Sequence, residues 1–174
     1  MGKTEIRESS THDIAGLKAL YSDAFPDEEL LPVVIDLLQD AASVLSLVSV
    51  RGTILVGHVI FTPCRLADGT DGFSLLGPLA VATAWQRQGI GRALVGSGLQ
   101  RLGTKRVSEV FVLGDPSYYG RLGFVPETDV SPPYPLPPEW RGAWQSIRLH
   151  SSGPSSRGQL SVPRPWLNPA LWAP

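Results

Sequence analysis

The sequence predicts a mixed α/β (α+β) fold, and three observations carry that prediction. Val44 to Val50 and Thr53 to Thr62 are β-branched and apolar runs, and Arg51-Gly52 between them has the length of a two-residue hairpin, so they form an antiparallel pair. Residues 11–25 and 29–38 place apolar side chains at helical spacing. Leu75 to Leu113 runs as strand, glycine-bearing turn, helix and strand, an order that normally makes a right-handed crossover between parallel strands.

Taken in order, Thr4 to Glu8 alternates weakly and reads as a first edge strand. Ser10 and Asp13 resemble a capping box, and Ile14, Leu17, Tyr21, Ala24 and Phe25 follow at helical spacing, which puts a helix at about 11 to 25. Pro26-Asp27 breaks it. A second stripe, Leu30, Val33, Val34, Leu37 and Leu38, tolerates Pro32 only if its helix begins close to Glu29, where the missing N–H has no partner to lose. Pro63 is expected to end the second hairpin strand, and Ala67 to Gly72 is rich in turn residues. In the next strand Pro78 cannot donate to a ladder, so the strand should be bulged or unpaired at Gly77-Pro78.

Ile90, Leu94, Val95, Leu99 and Leu102 then share one arc of a helix, with Arg92, Gly96 and Gln100 opposite. Glu109 to Leu113 reads as a short buried strand, and Gly114-Asp115-Pro116 turns the chain into a short helix, Ser117 to Phe124, stopped by Gly123. From about residue 126 the chain is rich in Pro and Trp. It reads as an extended loop, a late strand over Gly142 to Leu149, a flexible turn from Ser151 to Gly158, and a tail. Trp166, Leu167, Leu171 and Trp172 of that tail are too apolar to leave in water.

At 174 residues the chain is long enough for one domain with a real core and short for two, so residues 1–174 are read as a single domain. A net charge of −1 argues against nucleic acid or an anionic membrane surface as partner. Cys64 is the only cysteine, which excludes an intrachain disulfide and fits a reducing compartment. The N-terminus lacks the apolar core of a signal peptide, and no run approaches the ~18 apolar residues of a membrane span. The expected location is therefore cytoplasmic. His12, His58 and His150 lack ligand spacing, so no metal site is expected.

The turn after the Leu75 strand leaves backbone N–H groups at a helix start, beside Arg87 and Arg92. It suits a phosphate or pyrophosphate; an ordinary tight connection of an α/β domain reads equally well. As a dinucleotide fingerprint it fails, because Gly89 and Gly91 are followed by Leu94 where a third glycine belongs. Gly98 and Gly103 have P-loop spacing, but Thr104-Lys105 is in the wrong order and the pair sits at a helix end of negative dipole.

Three segments together carry a resemblance: Leu76-Gly77-Pro78-Leu79-Ala80-Val81, then Gln86-x-x-Gly89-x-Gly91, then Leu113-Gly114-Asp115-Pro116-Ser117-Tyr118-Tyr119-Gly120-Arg121-Leu122-Gly123-Phe124. They resemble the GNAT superfamily of acyl-CoA-dependent N-acyltransferases, in particular its small bacterial predicted-acetyltransferase branch, with similar element order from about residue 4 to 150. The resemblance implies a twisted, mostly antiparallel sheet with helices on both faces and a splayed parallel strand pair that holds acetyl-CoA. The backbone of Leu79, Ala80 and Val81 would pair with the pantetheine amides, and Gln86, Arg87, Gln88, Gly89, Ile90, Gly91 and Arg92 would wrap the pyrophosphate. An N–H near Val81 would polarise the thioester carbonyl.

The implied reaction is direct transfer of an acetyl group to an amine of a small molecule or protein in a ternary complex, with Tyr119 as general acid. The other reading of Tyr119 is core packing, and Tyr118 is the weaker candidate of the pair. A rival reading of the whole chain is a non-catalytic acyl-CoA-binding sensor or interaction module. Tyr119 favours the enzyme, since a binder has no use for an acid beside sulfur. No base is identified. Glu28 or Glu29 would face the acceptor cleft in this fold, but carboxylates in a first helical turn are also what the dipole favours. His58 reads as a satisfied core histidine, and a water chain is the remaining base. The chain departs from many members at Gly114-Asp115-Pro116, where they carry an asparagine; Asp115 reads as a helix cap. The Pro/Trp-rich end is read as packing, or else as a homodimer interface or lid.

Overall fold

The computed structural model describes residues 3–39, 43–150 and 156–173. The chain divides into two compact units, Met1–Phe61 with Gly77–Arg101 and Thr62–Leu76 with Leu102–Pro174. Strands β3 (Ile54–Leu66) and β4 (Phe73–Val81) contribute residues to both.

In the first unit β1 (Thr4–Glu8) pairs antiparallel with β2 (Leu45–Arg51), and β2 with β3. The hairpin loop is Gly52-Thr53, one residue later than expected, because Arg51 pairs with Ile54. Gly52 has φ 63°, so the left-handed residue has to sit in the loop and not on the strand. The Ser10 capping box forms around a 3-10 turn at Thr11–Asp13 that leads into α1 (Ile14–Ala24). Asp13 also takes both arms of the Arg7 guanidinium at 2.8 and 2.9 Å, which ties β1 to the helix start. α2 (Leu31–Gln39) begins two residues later than expected, with Pro32 as its second residue and Val33, Val34 and Leu37 buried.

α3 (Ile90–Gly103) buries Ile90, Leu94 and Val95. Its approach to β3 is set by glycine. A Cβ on Gly98 would overlap the ring of the fully buried Phe61, and one on Gly57 would meet Leu94 Cδ1 at 2.8 Å and Ile90 Cγ2 at 2.9 Å.

In the second unit β4 runs parallel to β5 (Glu109–Leu113), with pairs from Phe73 and Glu109 to Leu76 and Val112. β8 (Trp144–Arg148) pairs antiparallel with β5 and with β6 (Val125–Pro126). The sheet is thus mixed and mostly antiparallel, as expected, with β4 and β5 as a parallel pair. Pro63 does not end β3. It falls between the last pair with β2, at Phe61, and the pairs of Arg65 and Leu66 with β9 (Gly158–Ser161), so its missing N–H interrupts neither of those two ladders. β9 also pairs with β7 (Val130–Ser131), so the expected flexible turn ends in a strand at Gly158; its residues 151–155 lie outside the described ones.

The Pro/Trp-rich segment completes this unit's core. Phe73, Phe111, Trp144, Trp172 and Trp166 form a continuous aromatic column with centroid spacings of 5.5 to 6.0 Å. Each indole N–H is satisfied: Trp144 by Val130 O, Trp166 by Thr62 Oγ1 and Trp172 by Trp166 O. Leu167 is the exception to the expected burial, at 54% exposed.

Beside this core Glu109 is buried against Glu127, with Ser146, Arg148 and Asp129 around them in a cavity of about 400 Å³. Glu127 already accepts from Ser146 Oγ at 2.6 Å and from the Asp129 and Val130 N–H groups at 2.8 Å each. Glu109 hydrogen-bonds to the same carboxylate, which favours its protonated form. Burial and the Glu127 charge push Glu109 up to about 7.

Two predictions follow from these contacts. Gly96→Ala, with open space at its Cβ, should stabilise by about 0.5–1 kcal/mol, whereas Gly98→Ala should destabilise by about 1–2 kcal/mol in denaturant titration. Equal effects would sink the close-approach argument. For Glu109 the native state binds the proton more tightly than the unfolded chain, whose carboxyl titrates near 4.5. Stability from this group is full below that value and is lost as pH rises to about 7. Glu109→Gln, which still donates to Glu127, should gain on wild type by about 2 kcal/mol between pH 5 and 8; parallel stability curves would count against a shared proton.

Candidate active site

Pro78 has no N–H to donate and Gly77 has φ 148°, and the parallel register of β4 stops at Leu76, the residue before them. The strand is therefore unpaired on its β5 side where the sequence expected it. Beyond that point Leu79, Ala80 and Val81 continue β4 within the first unit, Ala80 buried and its neighbours half-buried. Gln86 Nε2 donates to Val81 O at 3.2 Å, so this side chain fixes the end of the strand.

The turn that follows is built to present donors. Arg87 has φ 62° and Gly89 φ 82°, and these left-handed residues flank Gln88 and curl the backbone. Among the described residues, the N–H groups of residues 87–92 have no acceptor; the first bond of the helix is Ala93 N–H to Gly89 O at 3.0 Å. Arg87 and Arg92 are exposed beside them. A Cβ on Gly89 would meet nothing within 4 Å, so the space over the donors is open. This arrangement fits a pyrophosphate: a row of N–H donors, a helix N-terminus and two cations. The sequence brought Gln86 through Arg92 together, and the structure does the same. Upstream, Thr83 N–H donates to Asp23 Oδ2 at 2.7 Å, a residue the sequence did not single out.

In the second unit Asp115 caps α4 (Pro116–Tyr119) as expected, accepting from Ser117 N–H at 2.9 Å and Ser117 Oγ at 2.8 Å. The Ser117 hydroxyl holds its carboxyl below the usual carboxylate range. Tyr119 sits in the last position of α4, 9% exposed, edge-on to Tyr118 and Phe124 at 5.0 and 5.6 Å. Burial, with the neighbouring Tyr118, pushes its phenol up, so it stays protonated through neutral pH. Gly114 makes the room: a Cβ there would overlap the Tyr119 ring, lying 2.9 Å from Cδ2.

His58 is fully buried, bonded at Nδ1 to Tyr21 Oη and at Nε2 to Ser46 Oγ, both 2.8 Å, and burial pushes it down to about 3. It is a neutral core residue. Glu28 and Glu29 are exposed and precede α2, which starts at Leu31; they are not in a first helical turn as the sequence reading had them.

The model of the acetyltransferase (GNAT) family matches residues 14–124. The chain belongs to that family, and its activity is the transfer of an acetyl group from acetyl-CoA to an amine. It is 30% identical over 160 residues, 88% of either chain, to the uncharacterized N-acetyltransferase YjhQ of Escherichia coli K12. To YhbS, also called an uncharacterized N-acetyltransferase, of the same organism, it is 30% identical over 147 residues, 83% of this chain and 85% of that one. The crystal structure of YhbS in complex with CoA matches with a TM-score of 0.86 and 28% identity, over 97% of this chain and 94% of that one. Among the described residues no helix is long and apolar enough to cross a membrane.

The Gly114 contact is directly testable. Gly114→Ala should displace the Tyr119 ring and cost about 1–3 kcal/mol, with altered near-ultraviolet dichroism from the Tyr118-Tyr119 pair; an unchanged spectrum and stability would show that the ring is seated elsewhere.

Proposed function

We propose that this chain, as one N-acyltransferase domain, holds acetyl-CoA with residues 79–92 and uses Tyr119 as the acid in direct transfer to an amine of a small molecule or protein. The observation that carries the reading is the row of N–H groups at residues 87–92 without acceptors, next to a strand that has lost its ladder at Pro78. The CoA held by the relative YhbS supports it. The buried single Cys64 suits a reducing, cytoplasmic setting.

Acetyl-CoA supplies a thioester carbonyl that a neutral amine attacks. The chain's part is to bind and to manage charge. Backbone N–H groups of residues 87–92, with Arg87 and Arg92, neutralise the pyrophosphate. The free edge of Leu79, Ala80 and Val81 offers main-chain partners to the pantetheine amides, and an N–H near Val81 favours the carbonyl oxygen as it gains charge. Tyr119 Oη gives its proton to the departing sulfur as the new C–N bond forms and the C–S bond breaks. The proton shed by the nitrogen passes to solvent, from which the phenolate is reprotonated. The Tyr119 phenol carries its proton at neutral pH and so has one to give.

Tyr119→Phe tests the role against a panel of amine acceptors, with free-thiol release as readout. Turnover should fall about a hundredfold while CoA affinity stays within about twofold. Unchanged turnover would remove Tyr119 from acid catalysis.

A further inference from the structure

Asp23 lies in the last turn of α1, one residue before Ala24 ends it, where the helix dipole disfavours a carboxylate and no basic residue offsets it. Aspartate is also a poor residue within helices, because its side chain competes for backbone groups. The side chain is exposed, so burial does not explain its place. Its partner does. Thr83 N–H donates to Asp23 Oδ2 at 2.7 Å, and Thr83 Oγ1 donates to the Asp23 carbonyl at 3.3 Å.

Thr83 opens a 3-10 turn, Thr83–Trp85, whose N-cap residue Ala82 makes no side-chain cap. Asp23 supplies that cap from another element. The same short stretch is held twice more, by Ala82 N–H to Val56 O at 2.9 Å and by the Arg51 guanidinium 4.7 Å over the Trp85 ring. Residues 82–85 are thus fixed from α1, β3 and the β2–β3 hairpin, immediately before the residues with unpaired donors.

We propose that Asp23 is a positioning residue for the cofactor: by capping the Thr83–Trp85 turn, it fixes the upstream end of the donor loop in the shape that binds the pyrophosphate. A loop already in its bound shape loses less conformational entropy on binding, so the cap is expressed as affinity. This rests on reading residues 87–92 as the pyrophosphate cradle.

CoA titrated calorimetrically into the full chain is the test. Asp23→Ala should raise Kd roughly tenfold, the size of one hydrogen bond to a charged group. Asp23→Asn keeps an acceptor oxygen and should restore Kd to within about threefold of wild type. Thr83→Pro removes the same donor at a turn position that suits proline, so the double variant Asp23→Ala with Thr83→Pro should bind no worse than the weaker single one. A purely structural Asp23 would lower the melting temperature with Kd unmoved, or give additive losses, and either result overturns the proposal. Gly89→Val separates the two layers. If it weakens CoA binding and Asp23→Ala does not, the positioning role alone fails; if it binds CoA as wild type does, the cradle reading fails and this inference with it.

Discussion

A turn whose backbone N–H groups have no partner within the chain has few bonds of its own to hold its shape, and the row at residues 87–92 sets the demands on everything around it. Left alone, such a turn would relax into a longer helix start or an open loop. Downstream it is anchored by α3, whose Ile90, Leu94 and Val95 are buried and whose seat depends on Gly57 and Gly98 leaving room for side chains. Upstream it is anchored by polar tethers from Asp23, Val56 and Arg51. Apolar packing fixes one end and directional bonds the other, so the donors between them are free to point outward without the loop being loose.

In the second unit the fixed object is an aromatic ring and not a backbone turn. Tyr119 is placed by what Gly114 lacks and by edge-on contacts with Tyr118 and Phe124, while Asp115 ends the preceding loop by capping α4. Any larger residue at this point would bring a Cβ into that ring. Gly114 is thus tied to Tyr119 by sterics, and Gln145 Nε2 takes up the Gly114 carbonyl at 3.1 Å. The tail indoles complete the core of this unit, each with its N–H satisfied.

Elements whose cause is local were legible in the sequence. The Ser10 box, the β5 limits Glu109–Leu113, the Asp115 cap and the break at Pro78 each follow from residue type and spacing within a few positions. What was not legible depends on partners far along the chain. Pro63 stays in β3 where the β2 ladder has ended and the β9 ladder has not begun, and Gly158–Ser161 becomes a strand because Arg65 and Leu66 lie beside it. Asp23 carried a weak signal, a carboxylate at the wrong end of a helix, but its meaning needed Thr83, which the fold brings to it.

Burial acts on the chain's titratable groups in one direction, toward neutrality. It pushes the Tyr21 and Tyr119 phenols and the Cys64 thiol up, Cys64 to about 12, and His58 down to about 3. A phenol already carries its proton at neutral pH, and burial that raises it holds that proton more tightly. Burial works against a base, since an imidazole held neutral at about 3 has little affinity for a proton shed at pH 7. His58 is further occupied at both nitrogens. The same burial therefore leaves the Tyr119 phenol protonated and removes His58 as a proton acceptor.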